Sequence, residues 1–249
     1  TGNRDLWMFD AGRNLGTRFT FDPGNEDSPV FSPDGSWLVF SSNKKGLTGI
    51  YRKSSSGSSE EEVLVEPSNN QPAPLCWSPD GRYLAFYEQA RETKGDILVL
   101  PLEGDRKPQV FLKTAAFEFP SAFSPDGKWL AYGSDESGKF QVYVTSFPRP
   151  GRKWQISRED GAWAYWSADG KEIVYHGFSG TIWAIEVAVR GDSIEPGTPR
   201  ALFKIAVPPK GAGPDIYPTA DHQRFLYLDR GNEKSSSILN LVLNWTARR

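Results

Sequence analysis

Ser-Pro-Asp-Gly occurs at 32–35, 78–81 and 124–127, with a weaker Ser-Ala-Asp-Gly at 167–170 and a worn Thr-Ala-Asp-His at 219–222. The aspartates Asp34, Asp80, Asp126, Asp169 and Asp221 stand 46, 46, 43 and 52 residues apart. Self-similarity at such a period marks a stacked-repeat architecture. Three residues before each aspartate come Phe31, Trp77, Phe123, Trp166 and, in the worn copy, Pro218. Four residues after come Leu38, Leu84, Leu130, Ile173 and Phe225, and six after come Phe40, Phe86, Tyr132, Tyr175 and Tyr227.

The motif reads as a hairpin turn. Proline presets φ at the first corner, aspartate bonds back to nearby amides, and glycine accepts positive φ. A type I turn with glycine in the left-handed position suits a short hairpin. The arm that follows is nearly continuous in apolar residues (Trp37–Phe40, Tyr83–Tyr87, Trp129–Tyr132). Such a strand is buried on both faces, as it would be where sheets stack like blades.

Each repeat continues with a polar loop and a third strand: Gly49–Arg52, Asp96–Leu100, Gln141–Val144 and Thr181–Val187. Fourth, edge-like strands are expected at Glu62–Val65, Gln109–Leu112, Lys153–Ile156 and Arg200–Phe203. Four strands in about 45 residues is the size of one propeller blade. The expected fold is all-β: one β-propeller domain over 1–249, with repeats near 28–66, 67–113, 114–157, 158–204 and 205–249 and a partial blade over 1–27. Leu6–Phe9 and Arg18–Phe21 look like third and fourth strands without their first hairpin. Ile216–Ala220, Phe225–Asp229 and Ile238–Trp245 form a last repeat without a fourth strand. About five and a third blades results. Either the N-terminal strands complete the last blade, or the chain is a piece of a six- or seven-bladed ring; the mid-repeat opening at Thr1 favours the piece.

The repeated Phe/Trp-Ser-Pro-Asp-Gly-x-x-Leu-Ala-Phe/Tyr resembles the TolB-like, WD40-like "Pro-Asp" propeller repeat over nearly the whole chain. Asn3–Trp7 leading to Arg18–Gly24, and the ending Leu241–Trp245, resemble the C-terminal propeller of large bacterial serine/threonine kinase-type receptors. That resemblance implies a sensor on the extracytoplasmic side of a membrane protein. No kinase motif is present: no glycine-rich phosphate loop, His-Arg-Asp or Asp-Phe-Gly. The worn repeat has His222 where the turn calls for glycine, which predicts a reshaped corner.

Composition excludes several functions. Lys plus Arg is 29 against 31 Asp plus Glu, a formal charge of -2, with no basic excess for nucleic acid. No apolar run approaches the roughly 20 residues that span a bilayer as a helix. One cysteine, Cys76, rules out an internal disulfide framework. Gly177-Phe178-Ser179-Gly180 lacks the spacing of a hydrolase nucleophile elbow. His176 and His222 have no ligand-type neighbours at short spacing, and Glu60–Glu62 reads as a solvated edge. Asn244-Trp245-Thr246 is a weak glycosylation pattern. Trp7, Trp37, Trp77, Trp129, Trp166 and Trp183 read as inter-blade core. Neither a catalytic set, a metal site nor a cofactor site is expected, and the five aspartates read as structural.

Strand alternation puts the Asp-Gly turns at one end of every blade and the varied loops at the other, where specificity usually resides. Those loops carry the candidate ligand contacts Glu26 and Asp27, Asn70 and Gln71, Phe117, Glu118 and Phe119, and Asp160 and Trp163. Exposed Phe117, Phe119 and Trp163 beside carboxylates would suit a protein, peptide or glycan. Three functions compete: a non-catalytic sensor or interaction propeller of a membrane receptor, a soluble periplasmic TolB-like scaffold, and a propeller attached to a hydrolase or peptidase.

Overall fold

The repeated turn is held by its serine as much as by its aspartate. In the computed structural model, which describes residues 3–10, 12–89, 93–205, 216–219, 222–229 and 240–241, Ser78 Oγ donates to Asp80 Oδ1 at 2.6 Å and accepts the Tyr83 amide at 2.9 Å. Asp80 also accepts the Arg82 amide at 3.1 Å. The pattern recurs at Ser32–Asp34, Ser124–Asp126 and Ser167–Asp169. Gly35, Gly81, Gly127 and Gly170 each sit at φ near +70° and donate their amide to the serine carbonyl. Asp221 lies outside the described residues, but its neighbours correct one expectation. His222 takes φ +54° and donates its amide to the Thr219 carbonyl at 2.8 Å, while Thr219 Oγ1 accepts the Arg224 amide. The corner keeps its shape without glycine, at the cost of left-handed backbone.

These turns join the first two strands of each sheet. An N-terminal hairpin pairs β1 (Trp7–Asp10) with β2 (Leu15–Arg18). β3 (Glu26–Phe31), β4 (Trp37–Ser42), β5 (Thr48–Ser54) and β6 (Glu62–Ser68) form the first four-stranded antiparallel sheet. β7 (Ala73–Trp77), β8 (Tyr83–Glu88), β9 (Asp96–Pro101) and β10 (Gln109–Leu112) form the second. β11 (Glu118–Phe123), β12 (Trp129–Ser134), β13 (Gln141–Ser146) and β14 (Lys153–Gln155) form the third. The fourth sheet has five strands: β15 (Trp163–Trp166), β16 (Glu172–His176), β17 (Thr181–Arg190), β18 (Ser193–Pro196) and β19 (Arg200–Lys204). A last, three-stranded sheet holds β20 (Ile216–Pro218), β21 (Phe225–Asp229) and β22 (Asn240–Leu241). No helix occurs among the described residues. The fold is all-β, with the meander order of propeller blades.

The chain forms two compact units, Thr1–Pro120 and Ser121–Arg249. Within the first, Val39, Ile50, Leu64 and Val65 of one sheet pack against Leu84, Phe86, Leu98 and Leu100 of the next. The other face of β4 presents Leu38 and Phe40 to Phe19, Leu6 and Met8. Within the second, Trp129, Ala131, Val142 and Val144 meet Ala164, Trp166, Ile173 and Tyr175. Val174, between the last two, turns to the opposite face with Ile216 and Phe225. β4, β8, β12 and β16 are therefore buried on both faces, as their apolar runs require.

Three expectations fail locally. β2 ends at Arg18 rather than Phe21, because the pairing Trp7↔Arg18 is set by the tight hairpin at Asn14. Phe19 still donates to the Leu6 carbonyl at 2.8 Å, but Phe21 is exposed. Trp7 is 63% exposed and so is not core. Leu6 and Met8 take the inward side of β1, and alternation turns Trp7 outward. β17 runs on to Arg190, where a two-residue Gly191-Asp192 turn returns it through β18.

The serine hydroxyl holds the Asp34 carboxyl at about 2, with help from the Ser36 hydroxyl and amide. Asp169 is lowered by Ser167 and the Lys171 amide. At Asp80 burial pushes upward, and the Ser78 hydroxyl and Arg82 amide outweigh it. Since the folded values lie below the ordinary 3.8, the stability these turns supply is present above pH 3.8 and is lost as pH falls through the folded values. A urea-unfolding series from pH 5 to pH 2 is expected to show that loss. Ser78→Ala is expected to cost about 1–2 kcal/mol at pH 7 through two lost hydrogen bonds. Phe86→Ala is expected to cost about 3–5 kcal/mol by leaving a cavity between two sheets.

Candidate functional site

The ends of the sheets opposite the Asp-Gly turns are built from unlike residues in each repeat. Glu26 opens β3 and is 3% exposed; Ser42 Oγ donates to its Oε1 at 2.8 Å. Burial pushes the Glu26 carboxyl up, against the lowering pull of the Ser42 and Thr20 hydroxyls. Its neighbour Asp27 is half-buried and pairs with Arg4 at 2.7 Å. Asn25 and Asn43 tie the loops together, Asn43 Oδ1 accepting the Asn25 amide at 2.7 Å.

In the second repeat Asn70 and Gln71 are exposed, and Gln71 has φ +49°. Asn70 Nδ2 donates to Glu88 Oε2 at 3.2 Å, while the Asn70 carbonyl accepts the Gln89 amide at 2.7 Å. Glu118 is 1% exposed and accepts Thr114 Oγ1 at 2.6 Å. Its amide donates to the Gly95 carbonyl at 2.9 Å, beside a parallel bridge between Gly95 and Phe117. A Cβ at Gly95 would press on the Phe117 ring at 3.3 Å, so glycine lets this loop close on the aromatic. Phe117 lies 6.0 Å from Tyr87 and 6.0 Å from Phe119.

The sequence expectation of exposed Phe117 and Phe119 beside accessible carboxylates is therefore corrected. Phe119, Glu118 and Glu26 are buried and Phe117 is half-buried. Glu26 and Glu118 both stand eight residues before the turn aspartate. There they fasten the strand start to neighbouring hydroxyls, and their inward direction leaves no carboxylate surface at these two positions.

In the fourth repeat the arrangement is different. Asp160 Oδ2 accepts the Ser179 amide at 2.7 Å. Gly177 lies so close that a Cβ there would collide with the Asp160 carboxylate. Trp163 and Tyr165 share one face of β15, while Ala164 and Trp166 turn to the core. Trp163 stacks on buried His176 at 5.2 Å and 20° and meets Phe178 edge-on at 5.2 Å. Phe140 extends the group, 5.5 Å from Phe178, and Tyr165 lies 6.1 Å from His176 and 6.2 Å from Tyr217. Phe178 and Tyr217 are exposed and Trp163 is half-buried. Of the sequence candidates, Trp163 thus lies in a continuous aromatic shelf, and Asp160 is fixed to the Ser179 amide next to Phe178 in the chain. Phe140, Tyr165, His176, Phe178 and Tyr217 are residues the sequence reading missed. The alternation Trp163-Ala164-Tyr165 was the available signal for one of them.

His222 Nδ1 lies 3.0 Å from Glu172 Oε1, with Arg200 at 2.8 Å from the other oxygen. Among the described residues no three His, Cys, Asp or Glu side chains gather as metal ligands would. The Asn244 pattern lies outside the described residues.

Residues 1–93 match the family model described as TolB beta propeller domain (PD40). A protein of Agrobacterium fabrum (strain C58 / ATCC 33970), carried under the name Uncharacterized protein Atu1656, is 27% identical over 139 residues, which is 51% of this chain and 46% of that protein. The structure of TolB from Acinetobacter baumannii aligns with TM-score 0.71 at 21% identity, over 92% of this chain and 54% of that one. An oligogalacturonate lyase in complex with manganese aligns with TM-score 0.56 at 15% identity, over 92% of this chain and 80% of that one. The chain thus spans about half the length of the first two. Together they show a TolB-like β-propeller fold, and the same fold is seen on an enzyme.

Glu26 supplies a test of the buried-carboxylate reading. Its folded value is raised above the ordinary 4.5, so stability is lost as pH rises through that value. Glu26→Gln, which mimics the protonated side chain, is expected to match or exceed the parent's melting temperature at pH 7 and to lose any advantage at pH 4. A variant less stable at both pH values contradicts the reading.

Proposed function

We propose that the chain is a non-catalytic binding module that takes a polypeptide partner on its varied loop end. The aromatic shelf of Trp163 and Phe178, backed by buried His176, carries this reading. Aromatic residues that are half-buried and rigidly packed are the side chains that dominate protein contacts, because they offer large area at little entropic cost. The opposite, Asp-Gly end is committed to turn hydrogen bonds repeated almost unchanged, whereas the loop end differs from repeat to repeat. Asp160 flanks the shelf within the second unit; Asn70, Gln71 and Asp27 are polar loop residues of the first unit.

The single-domain propeller over 1–249 is part of this proposal, as is its setting. The likeness to TolB supports an extracytoplasmic, periplasmic position. The resemblance of Asn3–Trp7 and Arg18–Gly24 to receptor propellers supports a sensor role beneath a membrane span and kinase. The TolB-like scaffold is the second reading, and the A. baumannii alignment favours it. The reading frame upstream of Thr1 separates them: a span and effector domain fit the receptor, a signal peptide and a small α/β domain the scaffold.

The binding role is tested by selecting a displayed random-peptide library on the immobilised chain. Selected peptides are expected to bind the parent and to lose at least tenfold in affinity on Trp163→Ala/Phe178→Ala, with the fold retained by circular dichroism. Peptides that bind the double variant equally would overturn the assignment of the shelf.

A further inference from the structure

We propose a second binding site, at the Asp-Gly end of the second unit, that takes an extended basic peptide by strand addition to β17. The hairpin β17–β18 closes on the pair Arg190↔Ser193 around two residues. In such a loop the closing pair is hydrogen-bonded, and bonding alternates from there. Ala188↔Glu195 is then bonded, whereas Val189↔Ile194 and Val187↔Pro196 are not. Proline opposite Val187 fits, because that position needs no donor. Two bonds confirm the parity. The Glu186 carbonyl faces β18, accepting the Gly197 amide, and the Val187 amide faces the other way, donating to the Lys171 carbonyl at 2.8 Å. β16 ends its pairing at Glu172↔Glu186. The Val187 carbonyl and the Val189 amide and carbonyl therefore point from an edge that no strand covers among the described residues. An uncovered edge of this kind is a template for an added strand.

Beside that edge lies a cavity of about 1160 Å³, walled by the arm of β17 and by the turns at Ser124–Asp126 and Ser167–Lys171. Its apolar lining includes Trp129, Trp166, Val187 and Val189, and neither indole Nε1 has a hydrogen-bond partner among the described residues. Five carboxylates line it, Asp126, Asp169, Glu172, Glu186 and Glu195, against one cation, Lys171. Arg200 and Arg190 engage Glu172 and Glu195. Glu186 has no ion pair among the described residues and stands where the free edge begins. Charge complementarity thus selects a strand with alternating lysine or arginine over an acidic one. This site is separate from the aromatic shelf and does not depend on it.

The test uses a fluorescein-labelled Lys-Val-Lys-Val-Lys-Val peptide and anisotropy at low salt. The basic peptide is expected to bind saturably, more weakly as salt rises, and a Glu-Val hexapeptide is not. Val189→Pro removes only an edge donor that β18 does not use, and is expected to weaken binding about tenfold, as is Glu186→Lys. A peptide N-methylated at alternate residues, which leaves the protein untouched, is expected to fail likewise. Trp163→Ala/Phe178→Ala is expected to bind as the parent does. Absence of saturation at millimolar peptide, equal binding of the acidic peptide, or equal binding by Val189→Pro and of the N-methylated peptide would overturn the proposal.

Discussion

A serine hydroxyl that donates to an aspartate two residues on and accepts an amide five residues on closes each of the first four repeats. The consequences run outward from it. The turn fixes where the first strand ends and the second begins. Strand register then follows, and a one-residue slip would send Leu84 and Phe86 to the wrong face. The hydrogen bonds are individually modest, but each holds a left-handed glycine, or His222 in the worn copy, and at Asp34, Asp80 and Asp169 they lower the carboxyl.

Given the register, packing is dictated by chemistry. The second strand of each sheet is apolar at consecutive positions, so each must be covered on both sides. Val39 against Leu38 and Phe40, and Val174 against Ile173 and Tyr175, show the division within a single strand. Stacked sheets satisfy this requirement, and the polar ends are left for function. At one end the turn takes up its own hydrogen bonds, and the arm of β17 beyond Glu186 leaves an edge uncovered among the described residues. At the other, the repeats differ: a buried carboxylate stands eight residues before the turn aspartate at Glu26 and Glu118, where the fourth repeat has Gly161 and instead packs an aromatic two residues on, at Trp163.

The blade architecture was legible because it rests on local signals repeated in register: turn chemistry, the apolar run, and the aromatic six residues past the aspartate. Gln109–Leu112 was placed to the residue. What the sequence hid is direction and distance. Glu118 looks like a surface carboxylate in a loop, and only its reach to Thr114 and the closure of Gly95 on Phe117 show it turned inward. Phe178 sits in what reads as a polar turn, and its partner Phe140 is 38 positions away. The long arm of β17 had a local signal, Gly191-Asp192 between two apolar stretches, but its uncovered edge is a property of the pairing and not of composition. The role of the turn serine was hidden in plain view, since proline, aspartate and glycine already account for the backbone path.

Amide hydrogen exchange tests the governing role of that serine most directly. The amides of Trp37, Tyr83, Trp129 and Glu172, each bonded to a serine Oγ, are predicted to exchange as slowly as the strand amides of Leu84 and Ala131. In Ser78→Ala, Tyr83 alone of the four is predicted to lose protection. Exchange at all four as fast as at the exposed Gly104 loop in the unsubstituted protein would contradict the account.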